Sequence, residues 1–316
     1  MILILGACGG NAQTQPKLSE DQQLYSPETA VKLLILGTAQ DAGSPQIACD
    51  KQCCKDLFKN PDKSRKVVAL GLVDEQYKRS YLFEATPEIG SQLHDLNTQA
   101  SFPTSKQPDG VFLTHAHIGH YTGLMFFGKE SLNSTKLPVY AMPGMTSFIT
   151  NNGPWGQLVS DNNIALEALS EDKKVLLSPS LTVTPFLVPH RDEYSETAGF
   201  LIKGPYKQAL FIPDIDKWGR WDTSIVKLLS EVDYAFIDAT FYDGNELNTR
   251  DISAVPHPFV IESMALFKDL PAKEKNKIYF IHLNHTNPLF DTDSEEYKEV
   301  IRRGFHVATF LQEFEL

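Results

Sequence analysis

The sequence predicts an α/β sandwich in which two β-sheets pack face to face and helices cover their outer faces. Apolar runs of strand length recur along the chain, several of them continuous rather than alternating, as strands covered on both faces are. Helical patterns fall between these runs instead of forming a block of their own, which is the order of a layered α/β protein. Several of the runs also end on His or Asp, so one edge of the sandwich is expected to gather chemistry.

Taken in order, residues 1–30 come before the first strand. "MILILGACGG" is a short apolar run followed by small residues and a cysteine, and it resembles the end of a bacterial lipoprotein signal with Cys8 as lipid acceptor. The Gln-rich stretch that follows has no apolar periodicity and reads as a tether. This gives an expected cell-envelope location, with a cytoplasmic one as the alternative, and a membrane link only through Cys8. Residues 31–316 form the expected folded domain.

That domain opens with "VKLLILG", a buried-strand run that ends in the Gly-rich turn "TAQDAGSPQ". Further strands are read in "KVVALGLVD", "RSYLFEA", "GVFLT", "LPVYAM", "LTVTPFLVPH", "GFLIKG", "QALFIPD", "YAFIDAT" and "KIYFIHL". Helices are expected over residues 87–96, 119–127, 142–150, 223–230, 256–270 and 294–303. Residues 150–180 are polar and rich in Asn and Gly, and are expected to form a surface excursion near a site.

The whole chain has 316 residues, 42% of them hydrophobic, and a formal charge of -11. It is large enough for a full core. That charge argues against a nucleic-acid or anionic-membrane surface, which needs clustered Lys and Arg. The expected partner is a small-molecule substrate, acted on by a monomer or a homodimer.

"FLTHAHIGHYTGL" carries the densest chemistry. His115 and His117 lie on an extended segment that sends both rings to one side, and His120 falls in the first turn of a helix. Imidazoles with free ring nitrogens suit Zn²⁺. The pattern gains specificity from other strand ends: His190 in "FLVPH", Asp214 in "LFIPD" with Asp216 as its alternative, and His282 in "YFIHLNHTNP". Asp238 is read as bracing a turn. His94, His257 and His306 are read as surface or core residues, and of these His257, in "AVPHPF", is the one placed to face substrate. Cys49, Cys53 and Cys54 lie within six positions, which suggests a metal rather than a disulfide framework; buried free thiols are the alternative.

Together these motifs resemble the metallo-β-lactamase superfamily, from about residue 32 to the C-terminus. Its signature is H-x-H-x-D-H followed by distant His, Asp and His. The resemblance implies a four-layer αββα sandwich with metals at one edge. It also implies a first metal on His115, His117 and His190, Asp214 as a bridge, and a second metal on His120 and His282. The family's aspartate falls on Gly119, so the second metal is conditional. The space beside Gly119 is open to another ligand, with Asp41 and Asp192 as candidates.

Two branches are nearer. "LGTAQDAGSPQIACDKQCC", "FIDATFYDGNE" and "FIHLNHTNP" resemble the pyrroloquinoline-quinone biosynthesis protein B group. The H-x-H-x-x-H cluster and the His282/His285 pair resemble the cyclic-phosphate phosphodiesterase of phosphonate breakdown. That second branch implies a structural zinc on Cys49, Cys54 and His285, with Cys53 as fourth ligand beside Cys54. The expected function is a zinc-dependent hydrolase of a phosphodiester or other small ester, with Asp214 and His257 as the catalytic side chains. Fe or Mn can take the same donors. The alternatives are an iron-dependent oxidation, as in the quinone-cofactor branch, or a non-catalytic ligand-binding member.

Overall fold

The computed structural model describes residues 31–247 and 255–316. The expected lead over residues 1–30, with Cys8, lies outside the described residues. Strand β1 (Val31–Gly37) alternates with period two between two cores: Leu33 and Ile35 point one way, Leu34 and Leu36 the other. Such a strand must be covered on both faces, and it is. It lies antiparallel between β2 (Ala69–Asp74) and β14 (Glu313–Glu315). Then come β3 (Arg79–Phe83), β4 (Gly110–Phe112), β5 (Leu137–Ala141) and β6 (Ile164–Ala168), which complete a seven-stranded sheet in the order β14-β1-β2-β3-β4-β5-β6.

The second sheet holds β7 (Val175–Ser178), β8 (Leu181–Val188), β9 (Thr197–Lys203), β10 (Gln208–Ile212), β11 (Tyr234–Asp238), β12 (Ile278–Ile281) and β13 (His306–Val307). They pair in the order β13-β12-β11-β10-β9-β8-β7, antiparallel from β7 to β10 and parallel from β10 to β13. Between the sheets, Phe83 stacks on Phe112 with ring centres 4.8 Å apart, Phe112 stacks on Tyr140 at 4.4 Å, and Phe200 meets Phe83 edge-on at 5.3 Å. Aromatic pairs at these separations add to the burial they bring.

Helices cover the outer faces. Over the first sheet lie α2 (Ile89–Gln99), α3 (Ile118–Tyr121), α4 (Pro143–Asn151) and α5 (Trp155–Ser160), and the short α1 (Gln52–Lys55) precedes them. Over the second lie α6 (Ile225–Glu231), α7 (Val260–Leu266) and α9 (Glu295–Arg302), with α8 (Ala272–Lys275) between the last two. Ser224 and Ser294 cap α6 and α9 by accepting from the amides of Lys227 and Tyr297, as serine at a helix start does. Four layers result, the expected αββα sandwich.

Some element boundaries differ from the expectation. Residues 150–180 are not a bare excursion: they carry α5, the edge strand β6 and the edge strand β7. Edge strands bury only one face, so their apolar signal is diluted by exposed residues such as Glu167 and Leu176. The helix expected from residue 256 starts only at Val260, because Pro256 and Pro258 hold the preceding residues extended. Residues 119–127 divide into α3 and a 3₁₀ segment, Thr122–Phe127. β13 and β14, two and three residues long, were not expected.

Candidate metal centre

One edge of the sandwich collects the ends of β1, β3, β4, β8, β10, β11 and β12. Beyond β4, the extended residues 114–117 present His115 and His117, and α3 places His120. Nε2 of His115 lies 2.8 Å from Nδ1 of His117. Asp214, just beyond β10, brings Oδ2 within 3.3 Å of His115 Nε2, 3.2 Å of His190 Nε2 and 3.9 Å of His117 Nδ1. Nitrogens held about 2.0–2.1 Å from one zinc ion stand a little over 3 Å apart, so this donor set has the right scale.

A second set faces it. His120 Nε2, His282 Nε2 and the carboxylate of Asp41 converge, with Asp41 Oδ1 at 2.8 Å from His120 and 3.7 Å from His282. Asp214 Oδ2 is also 3.9 Å from His120 Nε2, so one oxygen adjoins both sets. Nε2 of His120, His190 and His282 and Oδ1 of Asp41 are all buried, lie close to one another or to Asp214, and make no hydrogen bond of good geometry. Buried polar atoms left in that state are costly, and several pointing at one spot are what a cation would satisfy. The residues present fit a metal pair.

Behind the rings, hydroxyls hydrogen-bond Nδ1 of His115 and His282, while Nδ1 of His120 and His190 faces a carboxylate at ion-pair distance without a well-aligned hydrogen bond. Glu84, fully buried, brings Oε1 to 3.1 Å from His120 Nδ1 and accepts from the Thr114 hydroxyl, which touches His115 Nδ1. Asp216 lies 3.4 Å from His190 Nδ1. The hydroxyl of Thr240, donating to Asp238 Oδ1, sits 2.8 Å from His282 Nδ1. Partners of this kind fix the tautomer and ring angle of a metal-ligating histidine. Glu84 (φ 80°) and His282 (φ 66°) both adopt the left-handed region that side chains normally avoid, and such strain persists where the surroundings over-determine it.

His257 sits at the rear of the centre, with Nδ1 2.8 Å from Asp238 Oδ2 and 3.1 Å from Asp214 Oδ1. Burial opposes its charge, yet the two carboxylates outweigh it and raise the imidazolium well above the ordinary range. Glu84 and Asp41 do the same for His120 against its burial. Burial, reinforced by the charge on His120, holds His115 well below the ordinary value, which favours the neutral ring, the form in which imidazole can bind a metal. Asp214 stays well below the carboxylate range because His190, His257 and His282 offset its burial.

Behind the loop that carries His282, Cys49, Cys53 and Cys54 gather with His285, their donor atoms all within 4.8 Å of one another. Sγ of Cys53 and Cys54 are 3.9 Å apart on the short α1, so adjacent positions reach the same spot. Burial, with Cys49 beside it, pushes the Cys54 thiol up to about 12. A cation is what would hold such sulfurs as thiolates.

The structure thus brings His115, His117, His120, His190, Asp214 and His282 to one centre, with His257 against it, and Cys49, Cys53, Cys54 and His285 to another. Asp216, the alternative to Asp214, lies behind His190 instead. Asp192 does not enter the centre: it accepts from the Thr197 hydroxyl. Asp238 does more than brace a turn, since it holds both His257 and Thr240. Glu84 went unread, although an acidic residue closing the buried run "RSYLF" was a visible signal. His94 and His306 lie elsewhere.

A four-layer αββα sandwich with two His/Asp donor sets at one edge defines the metallo-β-lactamase fold class. The chain belongs to that superfamily: the Beta-lactamase superfamily domain model matches residues 79–283. Among curated proteins it is similar to coenzyme PQQ synthesis protein B of Methylobacillus flagellatus, 25% identical over 303 residues that cover 87% of this chain and 96% of the relative. The same protein of Gluconobacter oxydans is 26% identical, covering 88% and 96%. Among solved structures, Zn²⁺-bound PqqB from Methylobacterium extorquens superposes with a TM-score of 0.75 at 21% identity, over 90% of this chain and all of that one. A diphosphatase of the PhnP family follows at 0.63 and 18%, over 91% and 98%.

Proposed function

We propose that the protein is a metal-dependent hydrolase of a phosphodiester or another small ester. The observation that carries this reading is the position of Asp214 Oδ2, within 3.9 Å of His115, His117, His120 and His190, nitrogens that belong to two facing donor sets. Ions in such a pair supply Lewis acidity: they activate water at neutral pH and stabilise the charge that develops on the scissile group. The protein's own residues supply the rest.

His257 holds a proton on Nδ1 between Asp214 and Asp238, which leaves Nε2 as the ring atom to give a proton to a leaving oxygen. At the mouth, the loop after β8 lays Glu193 against His117 at 3.2 Å and Arg191 at 3.4 Å from the same ring nitrogen. Arg191 is half-exposed and is suited to the charge of an anionic ester. Tyr194, largely exposed, packs on Phe148, and Phe148 on Tyr121, the residue after His120. That ring series gives an apolar wall for a substrate's organic group.

The likeness to the PQQ synthesis proteins favours a second reading, an iron-dependent oxidation on the same donors. Protein loaded separately with Zn²⁺, Mn²⁺ and Fe²⁺ is to be assayed on bis(p-nitrophenyl) phosphate and, with Fe²⁺, for oxygen uptake. Metal-dependent release of nitrophenol that is lost in His115→Ala supports hydrolysis. Oxygen uptake without hydrolysis moves the assignment to oxidation, and neither activity on a series of diesters leaves ligand binding as the function.

A further inference from the structure

Gly119 stands where the family's signature has an aspartate, and the question is what replaces that ligand. A Cβ built on Gly119 would lie 2.4 Å from Asp41 Cα, 2.6 Å from Asp41 Oδ1 and 2.9 Å from Asp41 Cβ. None of these distances leaves room for a side chain. The space beside Gly119 is filled by the backbone and carboxylate of another residue, which comes from the turn after β1.

That carboxylate is aimed. Oδ1 of Asp41 is buried and converges with Nε2 of His120 at 2.8 Å and of His282 at 3.7 Å, and none of the three makes a hydrogen bond of good geometry. The turn that carries it is clamped on both sides. Gln40 donates from its amide to Leu283 O at 2.8 Å, and Asn284 donates from its side chain to Gln40 Oε1 at 3.0 Å, so the turn is tied to the segment just after His282. Gly43, at φ 72°, closes it with a 2.8 Å bond to Gln40 O.

We infer that Asp41 is the carboxylate ligand of the second metal, delivered from the β1 turn in exchange for a residue that Gly119 can no longer be. With the turn in this place position 119 must be glycine, since even the Cα of residue 41 lies 2.4 Å from where a Cβ would stand. A ligand has moved from one loop to another while the point in space it serves has stayed the same.

The test reads metal content and affinity rather than turnover, so it stands or falls apart from the hydrolase reading. Full-length protein is stripped and titrated with Zn²⁺ against a chromophoric chelator, with elemental analysis and the Co²⁺ absorption spectrum alongside. Wild type is expected to take two ions at the histidine centre and one at the cysteines. Asp41→Ala should keep the cysteine ion and bind one centre ion at least about a hundredfold more weakly, since loss of outer support alone costs about ten- to a hundredfold and Asp41 is a ligand. Gly119→Asp alone should destabilise the fold through its clash with Asp41. The double variant Asp41→Gly/Gly119→Asp should fold no better than Gly119→Asp, because the Cα of residue 41 still lies 2.4 Å from the new Cβ.

Asp41→Ala with wild-type stoichiometry and affinities within threefold of wild type overturns the assignment, as does a wild type that takes a single centre ion. A double variant as stable as wild type overturns the claim that the turn excludes a side chain at 119.

Discussion

His257 shows how much one residue's meaning depends on what surrounds it. Between two prolines it could have been an ordinary loop histidine, but Asp238 and Asp214 take its Nδ1 at 2.8 and 3.1 Å. If it serves as the proton donor, His257→Gln should lower kcat on a diester about 10²- to 10⁴-fold, the usual reach of general acid catalysis. Metal content measured on the same samples should not change, and a parallel loss of metal would make the residue a ligand instead. The sequence made six centre residues legible because His and Asp closed recognisable strands. Glu84, Asp238 and Asp41 were less legible: their roles depend on which ring nitrogen they meet, and no spacing encodes that.

At the level of elements, the turn after β1 connects two candidate sites. It carries Asp41 at its start and leads to Cys49, while the segment after β12 carries His282 and then His285 three positions on. A metal on the cysteines would therefore pin both strands of the structure that presents Asp41 and His282. Cys54→Ser is expected to remove that ion and also weaken the second centre ion about tenfold, as loss of outer support does; an unchanged centre would show the two sites to be independent.

The loop after β11 has its own tie, Glu246, which accepts from the amides of Tyr242 and Asp243 and from the Thr286 hydroxyl. Burial outweighs those bonds and raises its carboxyl to about 7. A carboxyl raised in the folded state contributes stability that is complete below its ordinary value, about 4.3, and is lost as pH rises through 7. The thermal midpoint of wild type should thus fall from pH 5 to pH 8 more steeply than that of Glu246→Gln. Parallel curves would show the group to be solvated.

Over the whole molecule, the sandwich acts as a rigid frame for an edge built from seven strand ends. Its centre is aromatic: Phe83, Phe112, Phe200 and Phe211 are fully buried between the sheets, Phe83 immediately precedes Glu84, and Phe112 stands three positions before His115. Phe112→Ala should cost about 3–5 kcal/mol in urea unfolding. Because the frame positions both donor sets, metal affinity should weaken in the same variant before the fold is lost.

While the four-layer αββα order came from the family resemblance, periodicity and strand-end chemistry were enough to determine an α/β sandwich, the main strands, the His/Asp edge and the cysteine cluster. These features follow from local rules: an apolar run must be covered, and a histidine that ends such a run faces the rim. Tertiary structure alone decided the short edge strands, the choice of Asp214 over Asp216, the orienting carboxylates and the filling of the space at Gly119. Each of those depends on a distance between segments far apart in the chain. Asp41 and Gly119 are 78 positions apart, and only packing brings the carboxylate of one into the place left by the other.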